Sequence, residues 1–226
     1  MKQVELMQPD RIAFYSYAHV PWVSPSQRGY SEEHLPLGDK KQKLYELGNE
    51  ILSGLGYREI GLDHFAKSTD SLAQAMDQGT LHRNFMGYTS FHTDLMIGLG
   101  ASSISDSGTA FVQNEKKIEA YQERILNGEI PIIKGHLLSR EDVVIRRYIT
   151  ALMCQHEAEL KDEDFEVLEV ILPRLSDLEK DGLVEIYPHQ IKVTERGMPF
   201  IRNICMAFDQ RLWAKKPTSR LFSQVV

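Results

Sequence analysis

Cysteine is scarce in this chain: Cys154 and Cys205 are the only two in 226 residues. A pair so far apart supplies neither a disulfide framework nor a CxxC metal knuckle, and reads as two small buried hydrophobes in a reducing cytoplasm. Runs of about 18 apolar residues are missing, which leaves no candidate for a membrane-spanning helix. Positive charge is also short. With 26 Lys+Arg against 32 Asp+Glu, the net charge is −6, and nothing draws the chain as a whole to nucleic acid or an anionic membrane. The opening MKQVELMQPD has no apolar core or small-residue cleavage site, so no secretory signal is expected there. No internal repeat or low-complexity tract is visible. What is present is 42% hydrophobic and 26% charged, the balance of an ordinary globular chain, enough for one large domain or two small ones.

Residues 11–18 (RIAFYSYA) predict a strand that stops at His19-Val20-Pro21. After a polar, irregular stretch, Asp39 is expected to cap a helix with Leu44, Leu47, Ile51, Leu52 and Leu55 on one face and Gly56 as its stop. Residues 57–62 predict a second strand, ending on Asp63-His64-Phe65. Strand, helix, strand is the order of a parallel βαβ unit and points to an α/β fold. Ligands in such folds lie beyond the carboxyl ends of strands, here Tyr17-Ala18-His19 and Asp63-His64; the other reading of Asp63 and His64 is that they satisfy each other or a loop backbone. Residues 71–78 predict a short helix ended by Gly79, residues 95–99 a short buried strand, and residues 114–127 a helix with Ile118, Tyr121 and Ile125 inward.

Beyond Pro131 the pattern turns helical, which divides the chain into domains 1–135 and 136–226. Ser139-Arg140-Glu141-Asp142 is a capping box that opens a helix to about Cys154. A helical stretch at 163–172 follows, and Pro173 is expected to start another helix, through Leu175 and Leu178 to Lys180. Residues 181–186 and 191–193 flank a turn, and Thr194 is expected to cap a long helix with Phe200, Ile201, Ile204, Cys205, Phe208 and Leu212 on one face. Helices, a two-stranded wing and a further helix make a winged-helix pattern.

A winged helix suggests DNA, yet residues 161–211 hold seven Lys/Arg against eleven Asp/Glu. Neutralising phosphates requires the opposite balance, so the wing reads as structural. His64, His82 and His92 lie in the loop-rich half without HxH or HExxH spacing, and no metal site is assigned to them. Gly98-Leu99-Gly100 is a fragment of a dinucleotide fingerprint with Ser103 where the third glycine would stand. Its small residues suit close approach to an adenine or to another strand equally. Arg83 offers the two-pronged donor face that grips carboxylates, or else takes part in a surface ion pair. The segment 82–105, HRNFMGYTSFHTDLMIGLGASSIS, therefore reads as a ligand-lining wall, and spacing singles out no catalytic residue.

Several pieces together resemble one family: Pro9-Asp10-Arg11-Ile12, Tyr17-Ala18-His19-Val20-Pro21, Gly61-Leu62-Asp63-His64-Phe65-Ala66, Leu81 to Thr89 (LHRNFMGYT), Gly98 to Ser105 (GLGASSIS), Lys180-Asp181-Gly182-Leu183-Val184, and Ile201 to Met206 (IRNICM). In order along nearly the whole chain, they are similar to the C-terminal half of oxygen-independent coproporphyrinogen III oxidase, a radical S-adenosylmethionine family of haem biosynthesis. The resemblance implies the C-terminal strands and helices of an incomplete (β/α) barrel, followed by a mostly helical winged-helix-like domain. It implies S-adenosylmethionine and a [4Fe–4S] cluster as cofactors. The family's CxxxCxxC motif is absent here, so the cluster ligands are expected outside this chain, which alone would be inactive. Carried over position by position, Ala18 matches a contact to a second S-adenosylmethionine, Ile104 a backbone contact to the cluster-bound one, and Phe85 and Met86 a pair near the second cofactor. Glutamine is the family's residue where Met86 stands. The implied substrate is coproporphyrinogen III, two of whose propionates become vinyls by radical hydrogen abstraction and loss of CO2 and an electron to an unidentified acceptor. A cytoplasmic monomer with no nucleic-acid or membrane partner is expected. A haem-handling relative and a winged-helix regulator are the other two readings.

Overall fold

The computed structural model describes residues 1–22, 24–36 and 38–214. They fall into two compact units, one of residues 1–78 with residues 209–214, the other of residues 79–208. Among the described residues no helix is long and apolar enough to cross a membrane.

The first unit holds α1 (Lys2–Met7), β1 (Arg11–Ala13), α2 (Asp39–Gly54), β2 (Tyr57–Gly61), β3 (His64–Lys67) and α3 (Ser71–Asp77). Its sheet has the order β1–β3–β2, and both pairings are antiparallel. The expected βαβ unit is therefore split: β1 and β2 do run parallel, but β3 lies between them. A two-residue turn causes this. Leu62 (φ 41°) and Asp63 (φ 69°) both take the left-handed conformation that matches the twist of a tight hairpin, so the chain returns beside β2 before β1 reaches it.

The first strand is also shorter than 11–18. After Phe14 donates its N–H to the Asp63 carbonyl at 2.7 Å, the backbone has no strand to pair with, and the Gln27 side chain takes over, accepting from Val20 N–H at 2.6 Å and donating to the Ala18 carbonyl at 3.1 Å. On α2 the N-cap is Gly38 rather than Asp39, which sits in the first turn where its charge suits the helix dipole. Gly56 (φ 84°) does end it. Only Leu52 of the five expected inward residues is fully buried, packed with Tyr57 and Phe65 and flanked by Phe14 and Leu55; Leu44 and Leu47 are exposed.

The second unit opens with a hairpin, β4 (His82–Asn84) and β5 (Gly87–Thr89). Next come β6 (Ile104–Asp106), β7 (Ala110–Asn114), α4 (Ile118–Leu126) and β8 (Ile132–Leu137), an antiparallel sheet in the order β6–β7–β8. The expected buried strand at 95–99 does not form. Met96 alone bridges to Asp106, at the open edge of the sheet, and Leu95, Ile97 and Leu99 are 60%, 67% and 84% exposed. Ile118 and Ile125 of α4 are exposed as well, for the same reason: no element of this unit, among the described residues, lies over that face.

The rest of the unit is α5 (Arg140–Gln155), β9 (Glu157–Glu159), α6 (Phe165–Lys180), β10 (Val184–Tyr187), β11 (Gln190–Val193) and α7 (Ile201–Met206); α8 (Gln210–Ala214) belongs to the first unit. The capping box closes both ways, Asp142 N–H to Ser139 Oγ at 3.1 Å and Ser139 N–H to Asp142 Oδ2 at 2.9 Å. Pro173 does not begin a helix but lies inside α6. An interior proline costs about 3 kcal/mol. Burying Leu168, Ile171 and Leu175 gains roughly 1.5–3 kcal/mol each, so the continuous helix wins. Thr194 caps only a 3-10 turn (Glu195–Phe200) that contains Pro199, and the expected long helix breaks there and again after Met206. The hairpin β10–β11 forms as expected, and β9, unpredicted, pairs with β11. Tyr148, Leu152, Ile171, Leu175, Ile191 and Ile204 form the buried core. The molecule is thus mixed α/β with open sheets.

Candidate functional site

The β4–β5 hairpin is built to present its tip. The Asn84 side chain accepts from Met86 N–H at 2.8 Å, and Gly87 takes φ 121°, a conformation side chains rarely adopt. Phe85 and Met86 are thereby the two central residues of the turn, 52% and 87% exposed. The Phe85 ring meets Phe111 of β7 edge-on at 4.8 Å, and Phe111 carries the Arg146 guanidinium at 5.1 Å. Arg146 in turn makes a two-pronged pair with buried Asp106, at 2.9 and 2.5 Å, while Gly108 N–H donates to the same carboxylate at 2.8 Å. Burial alone would raise the Asp106 carboxyl, but the guanidinium and the N–H hold it below the usual carboxylate range. The tip rests on a braced platform. Beside it, His82 and His92 meet edge-on at 4.5 Å; burial, then His92 and Arg146, lower the His82 pKa.

Ile104 begins β6, half-buried and paired with Gln113. The small residues before it are occupied by the chain itself. A Cβ at Gly98 would stand 2.7 Å from the Ile104 carbonyl oxygen, so only glycine allows this approach. Buried Asn114 donates to the carbonyls of Gly98 (3.0 Å) and Gly100 (3.1 Å), Gly100 N–H donates to the Tyr121 hydroxyl (3.1 Å), and Ser102 N–H to the Glu115 carbonyl (2.7 Å). Of the two readings open at Gly98, approach to another strand is the one present here.

Ala18 belongs to the first unit. It stands between Tyr17 and buried His19, with the Tyr30 hydroxyl bonded to Tyr17 and the Tyr17 hydroxyl 3.4 Å from His19 Nδ1. Asp63 and His64 occupy the β2–β3 turn, where His64 Nδ1 lies 2.9 Å from the Leu62 carbonyl oxygen, the loop-satisfying arrangement. Arg83, Phe85 and Met86 share one hairpin, and Phe85 and Ile104 meet the same sheet. The Arg83 guanidinium lies 5.1 Å over the Tyr88 ring, and its Nη1 is buried without a hydrogen-bond partner. No ion pair to Arg83 forms among the described residues.

Apolar Phe85 and Met86 side chains at an exposed tip fit the flat face of an adenosyl group. An iron–sulfur cluster is another matter. Cys154 and Cys205 are both buried, burial pushes their thiols up to about 12, and no three His, Cys, Asp or Glu side chains converge among the described residues. Sequence reasoning missed Phe111, Asn114, Asp106 and Arg146. A polar residue closing an apolar strand, as Asn114 closes AFVQN, was the one visible hint.

No family model matches the chain. Over its whole length it is 36% identical to the oxygen-independent coproporphyrinogen III oxidase of Salmonella typhimurium and 37% identical to that of Synechocystis, covering 51% of each relative. It is 39% identical to the same enzyme of Paracoccus denitrificans over 90% of this chain and 46% of the relative. Among solved structures it resembles coproporphyrinogen III oxidase (HemN) from Escherichia coli, described as a radical SAM enzyme, with a TM-score of 0.85 and 34% identity over 93% of this chain and 50% of that one. The chain thus spans about half the length of the curated relatives it matches, and the half is the C-terminal one.

Proposed function

Since the chain belongs to the oxygen-independent coproporphyrinogen III oxidase family, matching its C-terminal half, we propose that it forms that half of an enzyme which oxidatively decarboxylates two propionates of coproporphyrinogen III to the vinyls of protoporphyrinogen IX. Residues 1–135 belong to a (β/α) barrel begun by an N-terminal half, and the part from 136 onward, whose residues 215–226 lie outside the described ones, belongs to a winged-helix-like domain that binds no nucleic acid. The protein works in the cytoplasm as a monomer.

S-adenosylmethionine, when bound in such an enzyme, supplies a hydrogen-abstracting radical. The residues of this chain bind and orient. Phe85 and Met86 pack on a flat adenosyl face, and the platform of Phe111, Arg146 and Asp106 keeps the tip in place. For Ile104 and, in the other unit, Ala18, the family resemblance supports a cofactor contact for each by itself. Met86 replaces a polar family residue with a thioether, which favours packing over hydrogen bonding. The [4Fe–4S] ligands lie outside this chain.

The observation that carries the reading is the match of the whole chain to these oxidases together with a hairpin that spends two large apolar side chains on an exposed tip. The test joins this chain to the N-terminal half of the Synechocystis relative and assays anaerobic conversion of coproporphyrinogen III. Turnover is expected, with at least tenfold weaker S-adenosylmethionine binding in Phe85→Ala and Met86→Ala and little change in melting temperature, since both residues are exposed. A folded fusion that binds neither S-adenosylmethionine nor porphyrinogen overturns the reading.

A further inference from the structure

Two residues from the hairpin tip lies a cation that its surroundings do not neutralise. Arg83 is the middle residue of β4, directly across from Tyr88 of β5. Tyr88 is buried and its hydroxyl donates to the Met153 carbonyl at 3.1 Å, so the ring is held still, and the guanidinium lies over it at 5.1 Å. A contact over a ring does not use up the five N–H donors of a guanidinium. One edge nitrogen, Nη1, is buried and bonds to nothing.

Among the described residues the two buried carboxylates are already paired, and the two buried thiols are neutral. Asp106 is taken by Arg146, and Asp164 by Arg147 and the Tyr148 hydroxyl. Cys154 and Cys205 feel the Arg83 charge, yet burial pushes both thiols up to about 12, and at neutral pH they carry none. Arg146 makes the contrast plain: its guanidinium also lies 5.1 Å over an aromatic ring, but its edge is filled by a carboxylate. Leaving a buried guanidinium nitrogen without a hydrogen-bond partner is unfavourable, and native structures satisfy nearly all such groups. An edge of parallel N–H donors is complementary in shape to a carboxylate.

We propose that Arg83 is a binding residue for a ligand carboxylate, and, resting on the function proposed above, for a propionate of the porphyrinogen. The side chain is pre-stacked on Tyr88, so little freedom is lost when the carboxylate arrives. A propionate held there lies next to Phe85 and Met86 along the chain, the residues assigned to the adenosyl group. Lysine at this position would keep the charge and lose the fork.

Three probes test this: sodium propionate, coproporphyrin III (the stable oxidised tetracarboxylate) and its tetramethyl ester. With propionate, the side-chain nitrogen NMR signals of Arg83 in the wild-type chain are expected to shift saturably. Coproporphyrin III is expected to bind at least tenfold more weakly to Arg83→Gln, and to fall between in Arg83→Lys, while the ester does not distinguish the three. Arg83→Gln is expected to melt no lower than wild type, because it removes an uncompensated charge. Arg83 signals that respond to neither propionate nor coproporphyrin overturn the site. A response to propionate without binding of coproporphyrin III keeps the carboxylate site and removes the porphyrin reading. An Arg83→Gln chain that melts several degrees lower and binds coproporphyrin III unchanged shows a guanidinium that only packs on Tyr88, and overturns the proposal.

Discussion

Arg146 and Arg83 carry the same group on the same kind of ring, and a single carboxylate separates their roles. Asp106 is buried, and its charge depends on Arg146. Arg146→Met therefore leaves that carboxylate unpaired and is expected to lower unfolding free energy by about 3 kcal/mol, the low end for a broken buried pair because Arg146 is partly exposed. Urea denaturation measures it; a loss below about 1 kcal/mol means that water replaces the guanidinium without cost. His82 sets a pH dependence nearby. Its folded pKa is depressed below 6.5, by burial first and then by His92 and Arg146. The unfolded chain takes up the proton more readily, so stability is full above pH 6.5 and falls as pH drops below it. Asp106, also depressed, adds a loss in the same direction at more acid pH. Urea midpoints at pH 7.5 and 5.5 are expected to differ in the wild type and to differ less in His82→Gln; equal differences refute the assignment.

At the scale of elements, α6 is the instructive case. Proline in mid-helix is a stop by local rules, yet Leu168, Ile171 and Leu175 lie on one buried stripe and carry the helix through. Pro173 itself is exposed, so its ring is not needed for packing. Pro173→Ala is expected to restore a backbone donor and raise stability by about 1 kcal/mol or more, read as a higher melting temperature. A lower melting temperature means that the proline fixes a bend the core depends on. The β4–β5 hairpin shows the converse, an element whose turn chemistry was legible as Asn84 and Gly87 but whose consequence, two apolar side chains held out at a tip, emerges only once Phe111 is found beneath it.

For the whole molecule, charge decides more than shape. The helices and hairpin of residues 161–211 follow the order expected of a winged helix but carry an acidic composition, with seven Lys/Arg to eleven Asp/Glu. Random duplex DNA at low salt is expected to show no mobility shift at micromolar protein. A shift that weakens steeply with salt contradicts this.

Backbone chemistry that acts over a few residues was readable in advance. The Ser139 capping box, the glycine stops at 56 and 79, the β10–β11 hairpin and the C-terminal half of the α2 apolar face all follow from dihedral preference and side-chain period. Turn formers and functional side chains crowd residues 82–105, and the Asn84–Gly87 turn among them was legible in the same way. Which surfaces meet was not readable. Identical apolar runs are buried or exposed according to what lies over them, which is why residues 95–99 face outward and why β3 comes between β1 and β2. The same holds for charge: nothing in HRNFMGYT distinguishes Arg83 from Arg146, since an arginine's partner is supplied by a chain segment tens of residues away, and only the tertiary packing brings Asp106 to one guanidinium and leaves the other without a carboxylate.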